Sequence, residues 1–329
     1  MGTSGPARAP LAVDVLEPVA LNGCTQWVRI RGTDPTNPVL LLMQQGPGLP
    51  IINEARAYRR LLDLERDFTV VYWDQRGTGR SARPLRSRSS HFDIGAELMV
   101  EDTVAMLELL HDRFGGASLV AGFSFGATFA VQAAVRRPDL VAAVVATGMD
   151  IDVPFAEEHM YAFALGTARR LGNRRAIGQL ERIGPPPHTS AKQFATRGRW
   201  VANFGGVTAN VTYNGIARAL LASLVRSPDY SVADTLRTLR GIAASQDALL
   251  PELAATDLVR TLPRLEVPIV LAQGRLDQVA PGQATERLHD ALSAPAKELV
   301  WFERSAHTPQ YDEPAKFRDL LATVRANHR

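Results

Sequence analysis

One pentapeptide constrains the fold of this chain more than any other stretch, the Gly-x-Ser-x-Gly sequence Gly122-Phe-Ser124-Phe-Gly126. The residues that lead into it, Ser118–Gly122, are mostly apolar, as in a buried strand, and those that follow, Phe125–Arg137, are rich in alanine, as in a helix. The flanking glycines allow the tight, strained turn that such a strand-to-helix connection requires. The pattern therefore predicts that the Ser124 hydroxyl stands above the end of a strand, with the backbone N–H of Phe125 aimed at the same point.

The pattern around this turn predicts an α/β fold. Apolar stretches alternate with amphipathic ones, which implies a mostly parallel, twisted sheet flanked by helices. The run Pro38–Gln44 is nearly all apolar, which is typical of a strand buried on both faces. The predicted strands are Val13–Val19, Gln26–Arg31, Pro38–Gln44, Phe68–Trp73, Ser118–Gly122, Val141–Thr147, Val267–Gln273 and Glu298–Phe302, and the predicted helices are Ile94–Phe114, Phe125–Arg137, Gly282–Leu292 and Pro314–Asn327.

Between Met149 and about Pro263 the pattern is helical only. This predicts a helical cap, residues 149–263, inserted into an α/β core formed by residues 11–148 and 264–329, with residues 1–10 as a flexible N-terminal tail. Such a cap is expected over the C-terminal edge of the strands, where ligands bind in open α/β sheets. The uncharged run Ala117–Val135 has the length of a membrane span, but the glycines in its middle favour a buried strand, turn and helix.

Composition and charge narrow the class of protein. With 46% apolar and 22% charged residues, the chain is expected to be a soluble globular protein. The net charge of +3 is spread along the chain, which argues against a nucleic-acid partner, and the only cysteine, Cys24, allows no internal disulfide and favours the cytoplasm. No metal, no membrane partner and no particular oligomeric state are predicted. Arg80, Arg83, Arg86 and Arg88 are expected to form a solvated basic loop.

A serine hydroxyl is a weak nucleophile at neutral pH, so it needs a histidine base within about 2.6–3.2 Å and an acid that orients the histidine. With a turn of this kind the order along the chain is serine, then Asp or Glu, then His. Asp277 follows the strand Val267–Gln273, and His307 follows the strand Glu298–Phe302. Both therefore reach the same sheet edge as the serine. We predict Ser124 as nucleophile, His307 as general base and Asp277 as the orienting acid.

Other residues compete for these roles. Asp150, just after the strand Val141–Thr147, is delivered to the same edge and is the alternative acid. Three of the other histidines can touch a substrate without being the base, since they lie in a loop or in the predicted cap, and three are expected at the surface. The first group is His91, His159 and His188, and the second is His111, His289 and His328.

The loop Gln44-Gln-Gly-Pro-Gly48, right after the third strand, lies where donors to a developing oxyanion are expected. The N–H of Gly46 is predicted to act with that of Phe125, because Pro47 has no N–H to donate. Substrate contacts are expected from this loop, from a carboxylate that follows it and from aromatic residues of the cap, which can supply apolar pocket walls. The candidate substrate-binding residues are Gln45, Glu54, Trp200 and Phe204.

Three motifs besides the pentapeptide carry a resemblance to a known family. They are Gln44-Gln-Gly-Pro-Gly48, which is similar to a HGGPG loop, Asp74-Gln-Arg-Gly-Thr-Gly-Arg-Ser81, and Ser305-Ala-His-Thr-Pro309 with Glu313-Pro314. With them the chain resembles the proline iminopeptidase-like branch of the α/β-hydrolases, over essentially the whole core. The resemblance implies a helical cap, no cofactor, and hydrolysis of an amide or ester bond in a small molecule or short peptide. Gln44 and Gln45 depart from the family's His and Gly, which changes the support of the loop.

The sequence thus predicts a serine hydrolase that works through an acyl-enzyme, similar to a proline iminopeptidase-like aminopeptidase. An aminopeptidase must also bind a free α-ammonium group, which requires a carboxylate facing the site. An esterase, lactonase or thioesterase of secondary metabolism is the alternative on the same fold, and a non-catalytic relative that binds a small ligand is the alternative of another class. Ser124 argues against haloalkane dehalogenases and epoxide hydrolases, which use an aspartate nucleophile. The candidate carboxylates of the cap are Glu157, Glu158, Glu181, Asp247 and Glu252.

Overall fold

The strands form one twisted sheet in a computed structural model that describes residues 9–82 and 93–328. They are β1 (Val13–Leu21), β2 (Cys24–Gly32), β3 (Val39–Met43), β4 (Thr69–Asp74), β5 (Ser118–Phe123), β6 (Val141–Thr147), β7 (Ile269–Gly274) and β8 (Lys297–Phe302). Within the described residues the order is β1-β2-β4-β3-β5-β6-β7-β8. The pairings of β2 with β1 and β4 are antiparallel, and all the others are parallel. The C-terminal ends of β3 to β8 consequently meet at one edge.

The helices lie before, between and after these strands. They are α1 (Ala55–Leu61), α2 (Ala96–Phe114), α3 (Phe125–Arg136), α4 (Val153–Arg170), α5 (Arg174–Ile183), α6 (Ala191–Asn203), α7 (Tyr213–Arg226), α8 (Val232–Leu253), α9 (Leu258–Thr261), α10 (Gly282–Ala291), α11 (Pro309–Asp312) and α12 (Pro314–Asn327). The predicted basic-loop residues Arg83, Arg86 and Arg88, as well as His91 and residues 1–8 of the predicted tail, lie outside the described residues.

The central strands are buried on both faces because helices cover the sheet from both sides. In β4, Val71 and Trp73 pack into the cluster beneath α2, α3 and α10, whereas Val70 and Tyr72 pack into the cluster beneath α1 and α12. This alternation follows from the period of two in a strand. Each such side chain, when fully buried, contributes roughly 1.5–3 kcal/mol of hydrophobic stabilisation.

The predicted fold class, an α/β-hydrolase fold with a mostly parallel sheet flanked by helices, is confirmed. The predicted strands and helices are all present, with bounds that shift by at most a few residues at either end. Two short helices, α1 and α11, were not predicted, because a seven-residue and a four-residue segment are too short to show a helical period.

The segment predicted as a cap, residues 149–263, contains α4 to α9. Part of it has an apolar cluster of its own, in which Met160 of α4, Leu180 of α5 and Trp200 of α6 pack together. In contrast, Leu249 of α8 and Leu258 of α9 belong to the apolar cluster that lies between the sheet and helices α2, α3 and α10. The division of the chain into a core and a cap with these limits therefore stays a prediction.

The apolar run Ala117–Val135 does not form one long helix, since it is divided at Ser124 between β5 and α3. Within residues 9–82 and 93–328, no helix combines the length and the apolar character that crossing a bilayer requires.

Candidate active site

Ser124 occupies a strained turn between β5 and α3. Its backbone has φ 52° and ψ −129°, in the left-handed region that residues other than glycine rarely adopt. Close packing explains the two glycines of the motif. A Cβ on Gly126 would lie 2.2 Å from the carbonyl oxygen of Gln44, and one on Gly122 would lie 2.4 Å from Cα of Ala127. Strain of this kind is maintained only where the surrounding structure fixes it, and it concentrates at functional sites.

His307 and Asp277 form a hydrogen-bonded pair at the same edge of the sheet. His307 Nδ1 lies 2.8 Å from Asp277 Oδ2, and the other carboxylate oxygen accepts from the N–H groups of Val279, at 2.7 Å, and Ala280, at 3.0 Å. An ionised carboxylate can only accept, so Nδ1 carries the shared proton. In the neutral ring this leaves Nε2 with a free lone pair, as a general base requires.

The charge of the two nearby aspartates outweighs the effect of burial on His307. Burial alone lowers the pKa of the imidazole, but the charge and hydrogen bond of Asp277 and the charge of Asp150 raise it, and the net result is a pKa above the ordinary histidine value. The side chain of His307 is 9% exposed and that of Asp277 is fully buried. The base is therefore poised to hold a proton once it has taken one.

Hydrogen bonds of side-chain and main-chain atoms fix the loop that carries His307. Glu313 accepts from the Ser305 hydroxyl at 2.8 Å and from the Arg304 N–H at 3.0 Å. The His307 N–H donates to the carbonyl of Val207 at 2.9 Å, so the loop after α6 is tied directly to the histidine. This contact was not predicted, since it joins residues a hundred positions apart through main-chain atoms.

Asp150 touches the Ser124 side chain. The Ser124 hydroxyl donates to Asp150 Oδ2 at 2.7 Å, and the carbonyl oxygen of Asp150 accepts from the Thr128 hydroxyl at 2.8 Å. A hydroxyl has one proton to donate. In this conformation Ser124 thus donates to Asp150 and not to His307. The structure also brings Asp277, rather than the competing Asp150, into hydrogen bonding with His307.

Burial raises the pKa of Asp150 to about 6. The positive charges of His307 and Arg197 and the hydrogen bond from Ser124 oppose this rise in pKa. The negative charge of Asp277 adds to it. Asp150 is only 5% exposed, which explains why desolvation is the largest effect. Two carboxylates, Asp150 and Asp277, therefore flank one histidine in a site that excludes most water.

The predicted oxyanion donors, Gly46 and Phe125, line one pocket together with Gln45. Phe125 is the first residue of α3, so its N–H is among those that have no partner within the helix. The positive end of the helix dipole lies at the same place. Gln44, which stands where the family has histidine, is buried, and its side-chain oxygen accepts from the Thr78 hydroxyl at 3.1 Å. The donor roles themselves stay predictions.

Asp74, the first residue of the Asp74–Ser81 motif, holds several loops together beneath the site. Its carboxylate accepts from the N–H groups of Ile51, at 3.0 Å, Ile52, at 3.1 Å, and Arg80, at 2.9 Å, and from the hydroxyl of Tyr230. Burial raises the pKa of Asp74 despite these donors. The motif thus joins the chain after the 44–48 loop to the segment between α7 and α8, which is a structural role.

The predicted substrate-binding residues Glu54, Trp200 and Phe204 each contact other side chains. Glu54 accepts from Ser223 Oγ at 2.6 Å and from Tyr311 Oη at 3.4 Å. Trp200 stacks on Phe204, with 5.7 Å between ring centroids, inside the apolar cluster of α4 to α6. A role in substrate binding stays a prediction for all three, and for Gln45.

The candidate amine-binding carboxylates of α4, α5 and α8 have different surroundings. Glu157 is buried, forms an ion pair with Arg197 and accepts from the His188 N–H at 2.9 Å. The other four, Glu158, Glu181, Asp247 and Glu252, are exposed. Asp247 accepts from the N–H of Ala191, at the start of α6, at 2.7 Å, and Glu252 accepts from the N–H of Ala96, at the start of α2, at 2.6 Å.

The remaining histidines lie away from Ser124 or beside the acid loop. His159 Nε2 lies 2.8 Å from Gln278 Oε1, next to Asp277, and His188 belongs to the buried cluster of Glu157 and Arg197. Of the three histidines expected at the surface, His111 is exposed, whereas His289 and His328 are half-buried.

Gly148 is a site residue that the sequence reasoning missed. It has φ +51°, and a Cβ on it would lie 3.0 Å from His307 Nδ1 and 3.4 Å from Asp277 Oδ2. The signal that was available is its position directly after β6, at the edge to which the strands deliver the catalytic candidates. A glycine there lets the His307–Asp277 pair approach the backbone.

Comparison with known proteins places these features in a family. Residues 55–314 match the model of a hydrolase family described as serine aminopeptidase, S33. Among curated proteins, the probable aminopeptidase YbaC of Bacillus subtilis (strain 168) is 29% identical over 321 residues, which is 96% of this chain and 98% of the relative. The proline iminopeptidase of Heyndrickxia coagulans is 24% identical over 293 residues, 86% of this chain and 88% of that protein.

Solved structures agree on the fold. A proline iminopeptidase-related protein of Thermus thermophilus superposes with a TM-score of 0.63 at 20% identity, covering 96% of this chain and 98% of that chain. An esterase from Rhodococcus sp. ECU1013 superposes with a TM-score of 0.61 at 17% identity, covering 95% and 99%. The same fold thus serves proteins described as peptidases and as esterases, and the choice between them depends on the site.

Proposed function

The chain belongs to the S33 serine aminopeptidase family of hydrolases, and on this premise we propose that it cleaves an amide or ester bond of a small substrate through an acyl-enzyme, with the selectivity of an aminopeptidase. The proposed nucleophile, base and acid are Ser124, His307 and Asp277. The observation that carries the proposal is the 2.8 Å hydrogen bond between His307 and Asp277, at the sheet edge where Ser124 stands on its strained turn. A histidine held in this way keeps Nε2 available for a serine proton.

Acylation begins when the Ser124 hydroxyl turns from Asp150 to Nε2 of His307. His307 takes the proton while Oγ attacks the carbonyl carbon of the substrate, and a tetrahedral intermediate forms. Asp277 keeps the ring in the correct tautomer and stabilises the imidazolium. The charge of Asp150 assists, since it also raises the pKa of His307.

The negative oxygen of the intermediate is proposed to accept from the N–H groups of Gly46 and Phe125. Donors already in place need no reorganisation when charge develops, and losing one costs on the order of 10²–10³ in rate in a known case. Support comes from the pocket that both residues line and from the position of Phe125 at the start of α3.

His307 then gives its proton to the leaving amine or alcohol, which departs and leaves the acyl group on Ser124. Water attacks this ester with His307 again acting as the base, and the collapse of the second tetrahedral intermediate releases the carboxylic acid and restores the serine. The proposed scheme needs a carbonyl substrate and water.

A fluorophosphonate probe tests the nucleophile, because such reagents trap an activated serine. The wild type should be labelled on Ser124, and the Ser124→Ala and His307→Ala variants should resist labelling and lose about 10⁴-fold or more in kcat, since the three residues act as a unit. His111→Ala, a change to an exposed histidine on α2, is the matched control and should keep the wild-type rate. Labelling that persists in Ser124→Ala would sink the assignment.

A panel of aminoacyl arylamides and short acyl esters separates the candidate activities. Turnover of arylamides with a free amino group is expected for an aminopeptidase. Turnover of esters alone would leave the hydrolase in place and identify it as an esterase, lactonase or thioesterase. Absence of both labelling and turnover would favour the non-catalytic ligand binder.

A further inference from the structure

Asp150 is a buried carboxylate in contact with the proposed nucleophile. The proposed mechanism uses Asp150 neither as an acid nor as a base. Its Oδ2 lies 2.7 Å from Ser124 Oγ, and its backbone is fixed to α3 through the Thr128 hydroxyl. Ionised carboxylates are costly to bury unless they are paired with a cation or with several donors. A carboxylate held against the reacting oxygen therefore fits a site that receives a cation.

The geometry of an α-amino acyl group places a cation at this point. In such a group bound to serine, one carbonyl carbon and one α-carbon separate Oγ from the amino nitrogen, so the nitrogen lies within about 3–4 Å of Oγ for ordinary bond lengths. Asp150 Oδ2 lies 2.7 Å from the same oxygen. An α-ammonium group can therefore come within ion-pair distance of Asp150 while the carbonyl carbon reaches Ser124.

The other carboxylates considered are engaged or exposed. Glu157 already has Arg197 and the His188 N–H as partners, and Glu54 accepts from Ser223 Oγ. Asp277 is occupied by His307 and by two backbone N–H groups. The remaining candidate carboxylates of α4, α5 and α8 are exposed, namely Glu158, Glu181, Asp247 and Glu252.

The charges around Asp150 are compatible with a cationic ligand. Asp277 adds negative potential, whereas His307, when protonated, and Arg197 add positive potential. The charge of Arg197 is offset by its ion pair with the buried Glu157. Burial raises the pKa of Asp150 only to about 6, so the carboxylate is mostly ionised at pH 7.

We propose that Asp150 binds the α-ammonium group of the substrate and that this contact releases the Ser124 hydroxyl to His307. The inference rests on the proposed function and deepens it by naming the substrate class, molecules with a free amino group on the carbon next to the scissile carbonyl. The ammonium replaces the hydroxyl as the partner of Oδ2, and the serine proton is then free for Nε2. An N-acylated substrate brings no cation, so Ser124 stays bonded to Asp150.

The test compares matched substrates in matched variants. Values of kcat/KM are measured for an aminoacyl arylamide and its N-acetyl form with the wild type, Asp150→Asn and Asp112→Asn. The wild type should prefer the free amine, and Asp150→Asn should lower that preference by about 10²-fold or more, the usual loss when one partner of a buried charge pair is removed. Asp112→Asn makes the same change at an exposed position of α2 and should leave the preference unchanged.

A pH profile adds a readout that a structural defect would not give. The negative charge of Asp150 raises the pKa of His307, so Asp150→Asn should move the acidic limb of kcat/KM for the N-acetyl substrate to lower pH. A limb that stays in place while the rate falls at all pH values would contradict the placement of Asp150 beside the base.

Binding to an inactive variant keeps the inference testable if Asp150→Asn shows no turnover. Calorimetry on Ser124→Ala should detect an amino acid amide and should detect its N-acetyl form only weakly. The double variant Ser124→Ala, Asp150→Asn should lose the difference between the two amides. The same difference in both variants would overturn the role of Asp150.

The outcomes separate the two proposals. A wild type that prefers free amines together with an unchanged preference in Asp150→Asn overturns the role of Asp150 and leaves the aminopeptidase in place. Equal wild-type rates on the two substrates overturn the aminopeptidase selectivity and the role of Asp150 with it. Failure of the probe to label Ser124 overturns the serine hydrolase itself.

Discussion

The hydroxyl of Ser124 has two acceptors within its surroundings, the carboxylate of Asp150 and the ring of His307. In the conformation described it donates to Asp150 at 2.7 Å, while His307 is hydrogen-bonded through Nδ1 to Asp277. Rotation about one side-chain bond exchanges the acceptors. At the residue scale the proposed activity therefore depends on what competes with the serine for Asp150.

Gly148 allows a test of how closely the base and acid must approach the backbone. In Gly148→Ala the added methyl would lie 3.0 Å from His307 Nδ1 and 3.4 Å from Asp277 Oδ2, at a position with φ +51°. Displacing the pair disturbs a geometry on which proton transfer depends, so we expect kcat to fall by up to about 10²-fold, the effect of misplacing a reacting group by about 1 Å. Steady-state kinetics with an ester substrate measures the change.

Gly172→Ala is the matched control for backbone strain. Gly172 has φ +63° in the turn after α4, and a Cβ there meets nothing within 4 Å. Gly172→Ala should lower the unfolding free energy by about 1–2 kcal/mol, the cost of an alanine in the left-handed conformation, and leave kcat unchanged. Equal losses of kcat in both variants would show that strain, and not the contact with His307, is responsible.

The sequence predicts the site residues that topology alone brings together. Ser124, Asp277 and His307 each follow a parallel strand, and such strands end at one edge, so their proximity could be inferred. The same reasoning delivers Asp150 to that edge, where it could be considered only as a rival acid. Which acceptor a hydroxyl chooses depends on side-chain rotamers and on distances of a few tenths of an ångström, and no sequence pattern records these.

At the scale of elements, α8 packs closely on the loops around the site. A Cβ on Gly77, in the Asp74–Ser81 motif, would lie 2.7 Å from Ser245 Oγ, and one on Gly48, at the end of the predicted oxyanion loop, would lie 3.0 Å from Cα of Ile242. Gly48 and Gly77 in the loops and Gly241 on α8 have no side chain, which lets the helix backbone approach the loop backbone. The helix thus limits how far the predicted oxyanion loop can move.

Gly241→Ala should loosen this contact. Its Cβ would lie 2.5 Å from the carbonyl oxygen of Gly77, so either α8 or the loop must shift. We expect a loss of about 1–3 kcal/mol of unfolding free energy, as for other overpacked positions. We also expect a lower kcat/KM, because a shift of α8 would also disturb its contact with Gly48, in the loop that carries the predicted oxyanion donor. Urea unfolding and steady-state kinetics on the same preparation measure the two effects.

Gly178→Ala is the comparison for Gly241→Ala, since it makes the same change on a helix without the contact. Gly178 lies on the exposed face of α5, and a Cβ there meets nothing within 4 Å. Alanine should stabilise the helix by up to about 1 kcal/mol relative to glycine and leave kcat/KM unchanged. A Gly241→Ala variant that behaves like Gly178→Ala would mean that α8 does not restrain the loop.

The elements that the sequence predicts well are those with a strong and continuous pattern. The predicted Val141–Thr147 coincides with β6, and the predicted Pro314–Asn327 coincides with α12, because an apolar run and a proline at a helix start are local signals. Helix α1 was missed because its seven residues, with three arginines, show no clear apolar face. The packing of α8 on distant loops depends on tertiary contacts that local signals do not contain.

At the scale of the whole molecule, the site concentrates buried negative charge that the fold must tolerate. Asp74, Asp150 and Asp277 are each at most 5% exposed, and all three lie at the C-terminal ends of strands or in the loops that follow. Asp277 has a histidine and backbone donors, and Asp74 has backbone donors and a tyrosine. Asp150 has the Ser124 hydroxyl, which makes it the carboxylate whose ionisation the surrounding side chains support least.

Removing this charge should stabilise the protein, and the effect should depend on pH. The pKa of Asp150 is raised to about 6 in the folded chain, mainly by burial, whereas an unfolded aspartate titrates near about 3.9. Between these values the Asp150 carboxyl binds more protons in the folded state than in the unfolded state, so its contribution to the stability of the wild type falls as pH rises from about 4 to 6 and then stays level. Asp150→Asn lacks this loss.

The difference in unfolding free energy between Asp150→Asn and the wild type should therefore be small near pH 4, grow up to about pH 6 and remain on the order of 1–3 kcal/mol in favour of Asp150→Asn above it. Urea unfolding of both proteins at several pH values measures this difference, and the titrations of groups remote from Asp150 cancel. A variant that is less stable than the wild type at pH 7 would show that His307 and Arg197 already compensate the charge of Asp150. An amine ligand added to the wild type should reduce the gap, because in the bound state it supplies a cation beside the Asp150 carboxylate.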